Sequence, residues 1–86
     1  MKLAEFKIGS EFTSDGGLWR CTDVGARVVV AIRVDQATIT RKSPDEAPSL
    51  RTISGRDAEE IGWFDGPPYN VLERVFDEDD QENCKA

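Results

Sequence analysis

The most regular pattern of apolar and polar positions lies between residues 18 and 35, where it predicts two β-strands joined by a turn at 24–26. In the second half of this segment every other residue is apolar, which is the period-two pattern of a strand with one buried face. These apolar positions are Val28, Val30, Ile32 and Val34. Because their spacing is uninterrupted, we expect this face to form the centre of the core.

A second turn signal precedes these strands. Residues 14–17 read Ser-Asp-Gly-Gly, and both Asp-Gly and Gly-Gly accept the positive φ angles of a tight hairpin at little cost. The flanking residues 11–13 and 18–23 are therefore predicted to pair as strands. We expect Trp19 and Phe76 to lie in the core, and residues 1–8 to form a short strand or an extended entry.

The remainder of the chain has weaker signals. The strand pattern continues through Ala37, Ile39 and Arg41 after a bend at 35–36, and a mobile loop or insertion is expected around residues 41–54. A short edge strand is predicted at 50–54 and another strand at 70–76. One short helix is predicted, either at 56–61, with Ser54 as its N-cap, or within 77–83.

These elements predict a mainly β fold, with α+β as the alternative. The expected architecture is a small, strongly bent antiparallel sheet or a partly open SH3-like barrel of four to six strands, in one domain over residues 1–86. A chain of this length buries only about 60–65% of its unfolded surface. A shallow binding surface is therefore expected rather than a deep substrate cleft.

Charge divides the chain into unlike halves. Residues 1–43 carry seven Lys/Arg and five Asp/Glu, whereas residues 44–86 carry four Lys/Arg and twelve Asp/Glu, and the net charge is −6. An acidic chain repels phosphate backbones, so direct nucleic-acid binding is disfavoured. One interpretation of the acidic half is that it binds a protein partner with a basic surface. The other is that the charge serves only solubility.

Several kinds of chemistry have little support in the sequence. The chain contains no histidine, which removes the commonest general base and transition-metal ligand. The acidic run at 77–82 lacks the spacing of a calcium-binding loop. We therefore predict no enzyme activity, no cofactor and no metal. The absence of an apolar leader favours the cytoplasm, where Cys21 and Cys84 are expected as free thiols.

The candidate binding residues combine an aromatic turn with an acidic run. The turn at 63–69 contains two prolines, which fix its backbone, and aromatic residues can anchor an interface. The acidic run would steer a basic partner towards it. The residues proposed for this surface are Trp63, Phe64, Tyr69, Asp77, Glu78, Asp79, Asp80 and Glu82.

The alternative is a nucleic-acid-binding small β-barrel that uses arginine residues on its strands. These residues recur in the N-terminal half of the chain and could share one sheet face. They are Arg20, Arg27, Arg33 and Arg41. Pairing with the acidic half of the same molecule is the simpler interpretation of these arginines.

About half of the chain resembles a family of small, uncharacterised bacterial proteins, largely proteobacterial and often encoded in mobile elements. The resemblance rests on Glu11-Phe12, the segment Gly17 to Gly25 and Val30-Ala31-Ile32. It continues at Trp63, Gly66-Pro67-Pro68-Tyr69, Val71, Glu73, Val75-Phe76-Asp77-Glu78 and Cys84. The region from Gln36 to Gly62 is longer than the family pattern and is expected to be an insertion. The resemblance implies no activity, but a mobile-element setting suits an inhibitor or modulator of a defence or nucleic-acid enzyme.

Overall fold

The structure is a computed structural model that describes residues 1–41 and 49–86, and the side chains of residues 39–41 and 49–51 lie outside this description. The described chain is mainly β, with six strands in two antiparallel sheets and two short α-helices. A single 3₁₀ turn, Leu3–Glu5, precedes them. The elements are β1 (Glu11–Ser14), β2 (Gly17–Val24), β3 (Val29–Arg33), β4 (Gln36–Arg41), β5 (Ser49–Ser54), α1 (Gly55–Glu60), β6 (Glu73–Phe76) and α2 (Glu78–Glu82).

The main sheet contains four strands in the order β1-β2-β3-β6, each antiparallel to its neighbour. The predicted hairpin turn joins β1 to β2, with φ angles of 51° at Asp15 and 75° at Gly16. Positive φ at both central residues gives a type I′ turn, whose twist matches that of the flanking strands. The sequence prediction for this hairpin is confirmed.

The small sheet pairs β4 with β5, from Gln36 opposite Ser54 to Arg41 opposite Ser49. The predicted bend at residues 35–36 therefore separates two sheets. Barrel closure would require ladders that join the edge strands into a ring, and the described strands form no such ladder. Both sheets are open, which agrees with the bent-sheet alternative.

The core has two parts, because both faces of β3 are covered. The first core contains Phe6, Phe12, Trp19, Cys21, Val29, Ala31, Phe76 and Cys84. The second core contains Ile32, Val34, Ala37, Ala58 and Phe64. Successive strand residues point to opposite faces, so β3 supplies Val29 and Ala31 to the first core and Ile32 to the second. The predicted burial of Trp19 and Phe76 is confirmed.

The predicted apolar face of β3 is only half correct. Ile32 and Val34 are buried, but Val28 and Val30 are half-buried. The second core covers one end of this face, where α1 and the turn after it pack. At the other end, Val30 lies opposite Val75, whose exposure is 57%. The centre of the first core lies on the opposite face of the strand, at Val29 and Ala31.

Both segments that were candidates for the single predicted helix are helical. Helix α1 begins after Ser54, whose hydroxyl oxygen accepts a hydrogen bond from the amide of Asp57 at 3.2 Å. Helix α2 begins after Asp77 and has its own capping box. Each helix therefore begins after a capping side chain that accepts a hydrogen bond from a backbone amide of its first turn.

Three sequence predictions need correction or lie outside the description. The N-terminal segment contains a 3₁₀ turn rather than a strand, with Phe6 in the first core. Strand β6 begins at Glu73, and residues 70–72 are irregular. The ends of the predicted loop region are strand residues of β4 and β5, and residues 42–48 lie outside the described part of the chain.

Candidate functional site

The acidic run forms the start of α2, and two of its members hold that start together. The amide of Asp80 donates to Asp77 Oδ1 at 2.9 Å, and the amide of Asp77 donates to Asp80 Oδ2 at 3.2 Å. Asp80 also forms an ion pair with Arg74, at 3.5 Å between Oδ1 and Nη2. Asp80 is half-buried, so its carboxylate has mainly a structural role.

The remaining carboxylates of the run are open to solvent. We define the acidic face as Asp77, Glu78, Asp79 and Glu82, all of which are exposed. Three of them line a shallow depression of about 250 Å³ together with Arg27 and Val28. The Arg27–Glu78 ion pair is long, at 3.9 Å, and both side chains are largely exposed, so it contributes little to stability.

Of the predicted aromatic anchors, Phe64 is a member of the second core, whereas Trp63 and Tyr69 pack against it. Phe64 is 3% exposed and belongs to that core, so its ring is not available at the surface. Trp63 and Tyr69 are half-buried against the same cluster. The Tyr69 ring covers Gly66 so closely that a Cβ there would lie 2.6 Å from a ring carbon. The depression at the acidic face includes none of these aromatic residues.

Of the four arginines considered for nucleic-acid binding, Arg20 and Arg33 are paired with carboxylates of the same molecule. Arg20 contacts Glu59 at 2.7 Å and Glu11 at 3.2 Å. Arg33 forms a bidentate pair with Asp35, with Nε–Oδ1 and Nη2–Oδ2 distances of 2.6 Å and 3.0 Å. Hydrogen bonds from these guanidinium groups lower the pKa of Glu59 and the pKa of Asp35. The side chain of Arg41 lies outside the described part of the structure.

A groove that the sequence did not reveal lies where the two sheets meet. Its volume is about 650 Å³, and its walls are residues 36–38 of β4 and the irregular segment 70–72. Trp19, Arg33 and Arg74 complete its lining. Leu72 is 93% exposed beside it. Local spacing could not predict the groove, because its residues come from four separate segments.

The two cysteines are free and buried in the first core. Burial is the main influence on each and raises the pKa of Cys21 and the pKa of Cys84. A raised pKa keeps a thiol protonated at neutral pH, and the protonated thiol is a poor nucleophile. The predicted free thiols are thus present, in a packing role.

Comparison with family profiles, with curated proteins and with solved structures gives no match to this chain. The resemblance described above stays a prediction. In the described ranges 1–41 and 49–86, no helix has the length and hydropathy needed to cross a membrane.

Proposed function

We propose that this protein is a non-enzymatic binding module that uses its acidic face to contact a basic surface of another protein. The proposed setting is the cytoplasm, and the mobile-element resemblance suggests a defence or nucleic-acid enzyme as the partner to be inhibited or modulated. The proposal rests on the surface chemistry of the described residues.

The observation that carries the proposal is that the arginines of the main sheet are paired with carboxylates, whereas two carboxylates of α2 have no ion pair in the described part of the chain. Arg20, Arg33 and Arg74 each contact at least one carboxylate within 2.7 Å. By contrast, Asp79 and Glu82 have no ion-pair partner among the described side chains. The available surface charge near α2 is therefore negative, and such a surface raises the association rate with a basic partner.

A neighbouring apolar surface could supply the energy that exposed charges do not. Val28 lines the same depression as the acidic face, and Val30 and Val75 are only partly covered on the adjoining strands. Charges at the rim of an interface chiefly affect the association rate and its dependence on salt concentration, whereas desolvated apolar contacts slow dissociation. This valine surface replaces the aromatic turn as the proposed source of anchoring contacts.

The alternative, nucleic-acid binding through the strand arginines, has less support from the charge pattern. A phosphate would have to compete with Glu11 and Glu59 for Arg20, and with Asp35 for Arg33. Phosphate contacts also make affinity fall steeply as salt increases. Absence of binding to duplex or single-stranded oligonucleotides at low salt would separate the protein-binding proposal from this alternative.

The experiment that tests the proposal is affinity purification from the native host with three baits, followed by mass spectrometry. The baits are the wild type, the double variant Asp79→Asn/Glu82→Gln and the control Glu60→Gln/Asp65→Asn. The control removes the same charge from the region of α1. A partner retained by the wild type and control but reduced with the acidic-face variant supports the proposal. Equal recovery with all three folded baits contradicts it.

A further inference from the structure

We propose that β6, the last strand of the main sheet, binds an extended segment of a basic partner protein as an added fifth strand. The segment carries a basic, an apolar and a second basic residue at alternate positions, so that all three side chains point to the face that contains Val75. The inference rests on the proposed function, because it specifies the part of the partner that contacts the acidic face and the valine surface.

Strand β6 is an edge that is available for pairing. It lies last in the order β1-β2-β3-β6 and pairs only with β3 among the described strands. The opposite edge of the sheet is partly closed, because Thr13 of β1 forms a bridge with Lys85 near the C-terminus. Unpaired backbone groups at an open sheet edge can accept a strand from another chain.

The alternation of hydrogen bonds shows which backbone groups of β6 point outward. Just after β3, the amide of Val34 donates to the carbonyl of Leu18 in β2 at 2.8 Å. Residues of an antiparallel strand face their two neighbours alternately, so Ala31, three residues before, faces β6 instead. Ala31 lies opposite Arg74. Arg74 therefore faces β3, and the N–H and C=O groups of the next residue, Val75, point to the open side.

The side chains on one face of this edge alternate between acidic and apolar. Glu73 and Val75 are exposed and share this face, and Asp77, which is also extended and exposed, is the next residue of the period. Neither acidic residue has an ion pair among the described side chains, and Glu73 accepts only the Thr22 hydroxyl at 3.4 Å. Arg74 lies on the opposite face, over the Phe76 ring, and leaves this charge unneutralised.

This alternation selects the ligand. Residues directly opposite each other on neighbouring strands point to the same face, where opposite charges are stabilising. A strand paired with β6 therefore needs basic residues opposite Glu73 and Asp77 and an apolar residue opposite Val75. Arg27 lines the shallow depression beside Asp77, but its ion pair is with Glu78, at 3.9 Å. The required pattern reads the same in both chain directions.

A second copy of this chain fits the edge less well. Two copies paired antiparallel about Val75 would place Glu73 of each copy opposite Asp77 of the other. Pairing about Arg74 would place two arginines opposite each other. Like charges directly opposite each other are destabilising, so the edge favours a different chain, one with basic residues.

The test uses two capped peptides of the same composition, titrated to millimolar concentration against the ¹⁵N-labelled protein. The first, Thr-Lys-Thr-Val-Thr-Lys-Thr, carries its lysines and its valine on one face of an extended strand. The second, Thr-Thr-Lys-Val-Lys-Thr-Thr, carries its lysines on the face opposite to the valine. The first should give saturable shift changes in the amides of residues 28–30 and 73–77, and the second should bind at least about threefold more weakly.

Two pairs of variants connect the binding to this edge. Val75→Thr should weaken the first peptide severalfold, whereas Ile61→Thr, at a similarly exposed position elsewhere, should not. Glu73→Gln should weaken it roughly two- to fivefold, as for an exposed ion pair, and the control Glu60→Gln should not. The Val75 amide should exchange rapidly with solvent in the free protein and more slowly when the first peptide is bound.

Four results would overturn the inference. They are the absence of saturable shifts at β6, equal affinity for the two peptides, equal effects of the two threonine variants, and slow exchange of the Val75 amide in the free protein. Equal affinity with shifts confined to α2 would overturn strand addition alone, since a basic partner can contact the acidic face without pairing with β6. An unchanged amide spectrum of the first core shows that each variant is folded.

Discussion

The guanidinium carbon of Arg74 lies 4.4 Å from the centre of the Phe76 ring. The same group is 5.5 Å from the centre of the Trp19 ring. It also contacts Asp15 at 2.7 Å in the β1–β2 turn and Asp80 at 3.5 Å in α2. Arg74 therefore joins the hairpin turn, the C-terminal helix and the aromatic part of the first core.

This position predicts that Arg74→Met destabilises the protein although the residue is half-exposed. The variant keeps an apolar stem but loses the cation–π contacts and both ion pairs. We expect the free energy of unfolding to fall by about 1–2 kcal/mol. Arg27→Gln is the control, since its single ion pair is long and exposed, and it should unfold at the wild-type denaturant concentration. Equal midpoints for both variants and the wild type would show that the Arg74 contacts are energetically unimportant.

Because α1 covers only one end of the β3 face that contains Val30 and Ile32, truncating these two residues should have unequal effects on stability. Ile32 is fully buried, so Ile32→Ala should cost about 2–5 kcal/mol in urea unfolding. Val30 is half-buried opposite an exposed valine, so Val30→Ala should cost less than about 1 kcal/mol. Similar losses at both positions would restore the original expectation that the whole apolar face is central to the core.

The contact between Gly55 and the bend after β3 predicts a strict requirement for glycine. The Gly55 amide donates to Asp35 O at 2.9 Å, and a Cβ at this position would overlap the Val34 carbonyl. Gly55→Ala must therefore shift α1 away from the bend, at a cost of about 1–3 kcal/mol. The control is Arg56→Ala, an exposed helix position that should stay close to wild type. Thermal unfolding measures both, and a Gly55→Ala protein as stable as the wild type would show that this close approach is absent.

The Arg20 ion pairs predict a particular dependence of stability on pH. The pKa of Glu59 is lowered in the folded protein, chiefly by its hydrogen bond with Arg20. The unfolded state therefore binds more protons, and the stabilisation is complete above the ordinary glutamate pKa of about 4.3 and is lost as pH falls through the folded value. Arg20→Gln should be less stable than the wild type at pH 7, and the difference should shrink below about pH 4.

Urea unfolding at several pH values measures this difference directly. Other carboxylates titrate in both proteins, so only the gap between wild type and variant is informative. A gap that stays constant from neutral to acidic pH would mean that Arg20 stabilises the fold through packing of its stem rather than through Glu59.

The sequence predicted the elements with strong local signals and missed the relationships between distant segments. The type I′ hairpin follows from Asp15-Gly16, and the start of α1 follows from Ser54, since each signal acts within a few residues. The division of β3 between two cores depends on where α1 packs, which no period in the strand reveals. The sequence also could not show that Phe64 is buried.

The candidate site was predictable to a similar extent. The exposed carboxylates of α2 follow from composition, because unpaired acidic runs are usually solvated. The separate role of Asp80 depends on Arg74, a contact between β6 and α2 that composition does not indicate. The groove depends on residues 36–38 lying beside residues 70–72, which only tertiary structure brings together.

The central claim is that the acidic face steers a basic protein partner, and the association rate at two salt concentrations tests it most directly. The partner recovered by affinity purification is immobilised, and the wild type is compared with Asp79→Asn/Glu82→Gln and with the control Glu60→Gln/Asp65→Asn. The account predicts slower association only for the acidic-face variant, by a factor that shrinks at high salt because the charges are screened. Association as fast as that of the wild type at low salt, in a folded acidic-face variant, would contradict it.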